Sequence, residues 1–149
     1  MSPFDLKTVL LAKHAQHVVL IHFPIALFMM GAAFDLAAQR TKNPLTAGVA
    51  RYNLVAAALF VPLVLLTGIL AWQWALGAPR LKGILLLHLV VSCLASVVIV
   101  SVGWLHFRAG RRPDASLPKV RLPLELFGVA LIGLAAHLGG FLSGVNTPG

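Results

Sequence analysis

The sequence predicts an all-α integral membrane protein, an up-down-up-down four-helix bundle forming one membrane domain over residues 1–149. Three observations lead there. Hydrophobic residues make up 59% of the 149-residue chain and charged residues only 11%, with a mean hydropathy of +0.91, well above the roughly 45–50% apolar content of soluble domains. Four apolar windows, about residues 17–38, 53–77, 83–107 and 122–145, each reach the ~20 residues that cross ~30 Å of hydrocarbon. No window holds more than one Asp, Glu, Lys or Arg in its interior.

Before the first span, Phe4, Leu6, Val9, Leu10 and Leu11 mix with Asp5, Lys7 and Lys13, a pattern that suits a short interfacial segment over residues 1–16 capped by Ser2, or a flexible tail. A cleaved signal peptide is not expected, because the first apolar run starts late and has full membrane length. The first span opens at "HVVLIHFP" and carries Pro24 in its first turns, where a bend is expected. Asn43 and Pro44 mark a loop. The second span contains Pro62 and Gly68 and ends at Trp72 and Trp74, whose rings suit the outer headgroup level. "GAPRLKG" then turns quickly into the third span, making spans two and three antiparallel neighbours. Trp104 marks the inner end. The longest polar segment, "HFRAGRRPDASLPKVRLP", leads to the fourth span, where Arg121 and Glu125 are spaced to pair on one helix face.

The net charge of +8 sits in the connections between apolar spans, where it sets orientation and meets lipid headgroups; nucleic acid is not an expected partner. Arg40, Lys42 and Arg51 of the first loop and Arg108, Arg111, Arg112, Lys119 and Arg121 of the third outnumber Lys7, Lys13, Arg80 and Lys82 on the other side by eight to four. By the positive-inside rule the first and third loops face the cytoplasm, so both termini face outward. Cys93 lies within the third span as a packing residue, and no C-x-x-C-H motif offers covalent haem attachment. Asp35, near the inner end of the first span, needs a partner such as Arg40 or a basic residue of the third loop, either as a structural ion pair or to handle protons.

The histidines draw attention because a polar ring in hydrocarbon is expensive unless paired, wet or bound. By residue counting, His22, His88 and His137 fall roughly 8–12 Å below one surface. His17 lies near the headgroups above them, with His14 three residues earlier. His17 and His22 differ by about 140° around the helix, so they cannot both aim at one centre. Small residues accompany the three: Ala26, Met29 and Ala33 with His22, Ser92 and Ala95 with His88, and Gly133, Gly140 and Gly144 with His137. Such stripes also serve as helix-packing seams.

Two imidazoles from opposite helices can ligate haem iron. In this bundle the first and third helices are diagonal, so His22 and His88 are the expected axial pair for haem b, with Lys13, Arg80 or Lys82 meeting the propionates. His17 and His137 are the remaining cofactor contacts, as hydrogen-bond donors, quinone contacts, exchangeable ligands or the ligands of a second haem. His106 is the one histidine of the inner half, with no partner expected at its level, which argues against a two-haem relay. A zinc or copper site on three imidazoles is an alternative, though no carboxylate sits at their level. The plainest alternative is that each ring hydrogen-bonds to Ser, Thr or backbone carbonyls across the bundle.

The stretches "HVVLIHFPIAL" (17–27), "LTGILAWQW", "RLKGILLLH" and "HLGGFLSGVN" (137–146) together resemble the bacterial four-span membrane proteins grouped as domain of unknown function 2231. The resemblance runs from His17 nearly to the end, and its most specific pieces are H-x-x-x-x-H-F-P and the L-G-G motif. It implies a prokaryotic inner-membrane component; members often occur beside or fused to cytochrome-like domains. Where members often carry charged residues or tyrosine after the double glycine, this chain has Phe141, Leu142 and Ser143.

The functional expectation is a small cytochrome b-type subunit, not an enzyme alone, that transfers electrons within a larger complex of membrane subunits, with a periplasmic cytochrome as a partner. The alternatives are a small proton- or ion-conducting carrier and a structural membrane anchor.

Overall fold

The computed structural model describes residues 15–111 and 117–145. They form four helices: α1 (Ala15–Thr41), α2 (Pro44–Leu70), α3 (Gly83–Gly110) and α4 (Arg121–Leu142). All four are long and apolar enough to cross a membrane. There is no strand among the described residues. The segment expected to lie in the interface falls outside them up to residue 14, with His14 and Lys13; Ala15 already belongs to α1.

The helix ends follow from local chemistry. Asn43 caps α2, its Oδ1 accepting the Leu45 N–H at 2.9 Å, and Pro44 fills the first helical position, where its missing N–H leaves no bond unmade. The first connection is therefore Lys42 and Asn43 alone, with Lys42 in the left-handed region at φ 55°. Asn43 and Pro44 were expected in a loop; they begin a helix because both are start signals. At the other end α2 continues through one π turn, Ala71–Ala75, closed by the Leu76 N–H on the Ala71 carbonyl at 3.1 Å. Trp72 Nε1 donates to the Pro79 carbonyl at 3.1 Å and folds the connection back onto the helix end, while Trp74 stays exposed. Pro24 is buried and α1 runs on through it.

Each helix packs antiparallel on its chain neighbours, and a smaller contact between α1 and α4 closes the ring. Glycine makes two of these approaches possible. A Cβ on Gly103 of α3 would lie 2.5 Å from Ala58 Cβ and 3.0 Å from the Leu54 carbonyl of α2; one on Gly128 of α4 would lie 2.7 Å from Cζ of the fully buried Phe28 of α1. Close backbone approach of this kind drives association where lipid removes the hydrophobic gain.

The distribution of polarity is inverted relative to a soluble bundle. The outer surface carries exposed Val19, Met30, Leu59, Leu66, Val97, Leu126 and many similar side chains, whereas Asp35, Thr67, His106 and Glu125 are buried. Such an exterior is stable in a lipid bilayer. The middle of the bundle is apolar, filled by Phe28, Leu54, Val61, Val91, Ala95, Val98, Val102, Leu131 and Ile132.

Candidate functional site

Polar groups inside the bundle fall into two sets, one near each end. At the end away from the basic loops lie the histidines that the sequence singles out. His17 Nδ1 meets Thr67 Oγ1 at 3.2 Å. The threonine hydroxyl has carbonyl oxygens of Leu63 and Val64 at 3.0 and 3.1 Å for its single proton. Its oxygen therefore accepts from the histidine Nδ1–H. His88 is half-buried and its Nδ1 donates across to the Ala135 carbonyl of α4 at 3.0 Å, an approach that Gly139 leaves room for. His22 is exposed and its Nδ1 donates to Val18 of its own helix at 2.6 Å. His137 is also exposed, edge-on to Phe141 with ring centroids 5.1 Å apart.

Two of the three histidine faces thus differ from the inward orientation expected. On α1, His22, Ala26, Met29 and Ala33 are all exposed; on α4, Gly133 and His137 are exposed and Gly140 is half-exposed, with Gly144 exposed in the turn beyond the helix. The reason is rotational: matching depth along three helices says nothing of which way each face turns. His17 staples α1 to α2 and His88 staples α3 to α4, while His22 bonds within its own helix. Arg80 and Lys82 are exposed in the connection before α3. For His22 and His88, donation through Nδ1 leaves Nε2 as the ring nitrogen available to a ligand.

The second set lies toward the opposite end, among the first turns of α4 and the last turns of α1 and α3. Arg121 Nε donates to Asp35 Oδ2 at 2.7 Å, with the aspartate side chain 3% exposed and the arginine 13%. His106 Nε2 pairs with Glu125 Oε1 at 3.0 Å, both fully buried. One ligand-type atom from each of Asp35, His106 and Glu125 lies within 4.8 Å of the others. Glu125 Oε2 is buried without a hydrogen-bond partner. An orphaned buried carboxylate oxygen costs on the order of 1–3 kcal/mol or more, so this atom is where a proton or another ligand would be gained.

The expectation that Asp35 pairs with a basic residue of the third loop holds, with Arg121. Two others are corrected. Arg121 and Glu125 do not pair with each other, because α1 and α3 offer each a better-placed partner. His106 does have a partner at its level, in Glu125. A signal for this site was present in the sequence: Asp35, His106 and Glu125 each fall four to six residues inside a helix end at the same side, a shared depth like that of His22, His88 and His137.

Two carboxylates and an imidazole are a recognised donor set for zinc or manganese. The guanidinium on Asp35 weighs against a dication here, since it already supplies the positive charge that a metal would bring. With His106 neutral and both acids ionised, the four side chains carry one net negative charge. A single proton on the His106–Glu125 pair cancels it.

The profile of the family described as "Predicted membrane protein (DUF2231)" matches residues 13–146. The chain belongs to this family. The four-helix membrane architecture of this DUF2231 member is in keeping with that description. No curated protein and no solved structure matches the chain.

Proposed function

We propose that this DUF2231 protein is a membrane subunit that takes up and releases one proton at the Asp35–Arg121 and His106–Glu125 cluster and passes that event to the packing of α1, α3 and α4. The observation that carries the proposal is the unpartnered, buried Glu125 Oε2 within a cluster whose fixed charges are one positive short of balance. In low-dielectric surroundings an unbalanced charge is costly, and intramembrane ionisable groups mark proton relays and ion paths. Arg121, partly exposed near the helix end, is the link to water. The apolar core from Phe28 to Ile132 lies below the cluster, so the proton enters and leaves by one end only. This supports a proton store or sensor over an open channel. The proton moves between solvent and the Glu125 carboxyl, where it is held as O–H beside the His106 ring, with no other bond made or broken.

The basic residues collect at the same end, which supports a cytoplasmic position for the cluster and periplasmic termini in a bacterial inner membrane. The outward-facing small-residue stripes bearing His22 and His137 support membrane partner subunits on α1 and α4.

Amide hydrogen exchange tests the coupling. After correction for intrinsic chemical exchange, protection around residues 102–110 and 121–128 is expected to change with pH in the native chain and to be flat in Glu125→Gln. Equal pH profiles in both would overturn the reading.

Haem b binding by His22 or His88, each separately, with electron transfer inside a larger complex, is a second reading. It is supported by the Nδ1 bond that each ring makes to a main-chain carbonyl, the arrangement that turns Nε2 toward a metal. Because His22 faces outward, a porphyrin on it would lie at the bundle surface and be shared with another subunit. A Soret band that shifts on reduction and disappears in His22→Ala or in His88→Ala is the expected result on this reading; a colourless purified chain, also when assembled with its subunits, contradicts it.

A further inference from the structure

We propose that the cleft between α2 and α3 at the basic end binds the phosphate headgroup of an anionic phospholipid from the surrounding leaflet. This inference stands apart from the proton cluster. The cleft has a volume of about 300 Å³ and is lined by Arg51, Tyr52 and Val55 of α2 and by Phe107, Gly110 and Arg111 at the end of α3. Its chemistry is two-part: the guanidinium groups of Arg51 and Arg111, and the apolar and aromatic surface of Tyr52, Val55 and Phe107. That division matches a phosphate joined to acyl chains.

Both guanidiniums are held in place before any ligand arrives. Arg51 Cζ lies 4.9 Å from the Tyr52 ring centroid and Arg111 Cζ 4.9 Å from that of Phe107, stacking that restrains long side chains. Arg51 Nη1 also reaches the Gly110 carbonyl at 3.5 Å. A Cβ on Gly110 would collide with the Arg51 guanidinium, so the missing side chain is what lets Arg51 settle over the cleft. Planar guanidinium forks suit phosphate oxygens, through two parallel N–H donors each.

The level in the membrane is marked independently. Tyr52 and Trp104 are exposed, and Trp104 stacks on Phe107 with centroids 5.7 Å apart. Aromatic rings of this kind gather where hydrocarbon meets headgroups, which puts the two arginines at phosphate height. Below them Val55 and the exposed Leu59 follow Tyr52 on the same face of α2, an apolar track for an acyl chain. Basic pockets between membrane helices are the usual seat of acidic headgroups.

The test uses the full chain in mild detergent, titrated with phosphatidylglycerol or phosphatidylcholine and read by native mass spectrometry. One phosphatidylglycerol should be retained in preference to phosphatidylcholine, and R51Q/R111Q should weaken it by about tenfold or more, as loss of charge-assisted bonds implies. Gly110→Leu, which keeps every charge but fills the place of the Arg51 guanidinium, should weaken it too. R40Q/K119Q, which removes two charges at the same end outside the cleft, should not. Equal retention of both lipids, an equal loss in R40Q/K119Q, or displacement of the lipid by inorganic phosphate would overturn the proposal. So would unchanged binding in R51Q/R111Q.

Discussion

Replacing Arg121 by leucine is expected to destabilise the bundle by about 3–5 kcal/mol, the range found when one partner of a buried ion pair is removed. The loss arises less from the missing attraction than from what remains, an Asp35 side chain 3% exposed with no counter-charge. The double variant R121L/D35L should recover most of the loss, because two apolar residues of suitable volume leave nothing unpaired. Reversible unfolding of the full chain in mixed micelles measures both. A loss within about 1 kcal/mol in R121L, the size typical of a surface pair, would mean that the pair is wet and that the cluster is not the buried charge centre described here.

The four spans and their antiparallel order were legible in the sequence because lipid demands a length and an apolarity that few other environments do. The start of α2 was less so. Arg51 reads as a loop residue by charge, yet it belongs to a helix that begins at Pro44, its long side chain reaching across to the Gly110 carbonyl at the end of α3. The rotation of each helix was not legible at all. In a bundle surrounded by hydrocarbon, apolar residues line both the inside and the outside, so hydrophobic periodicity does not tell one face from the other. That is why His22 and His137 turn outward although their depths match that of His88. Depth alone could have found the inner cluster, since Asp35, His106 and Glu125 share a level. What it could not supply was the exchange of partners, Arg121 reaching α1 while Glu125 reaches α3.

The second large effect concerns Glu125 itself. Glu125→Gln keeps the shape of the side chain and gives His106 a neutral partner, so the fold should survive while the proton site disappears. His106→Gln is the complementary change: it leaves the carboxyl group in place but removes the imidazole that shares its proton. The two variants should therefore behave differently. In His106→Gln a carboxyl signal persists with an altered pH dependence, whereas in Glu125→Gln it is absent.

Infrared difference spectroscopy of the full chain in bilayers, recorded as pH is stepped, reads the protonated carboxyl directly. The expected result is a carboxylic-acid band that grows and fades with pH in the native chain, accounts for a single proton, and is missing from Glu125→Gln. A native spectrum with no pH-dependent carboxyl band, or one that persists unchanged in Glu125→Gln, would contradict the assignment of the proton to the Glu125 carboxyl.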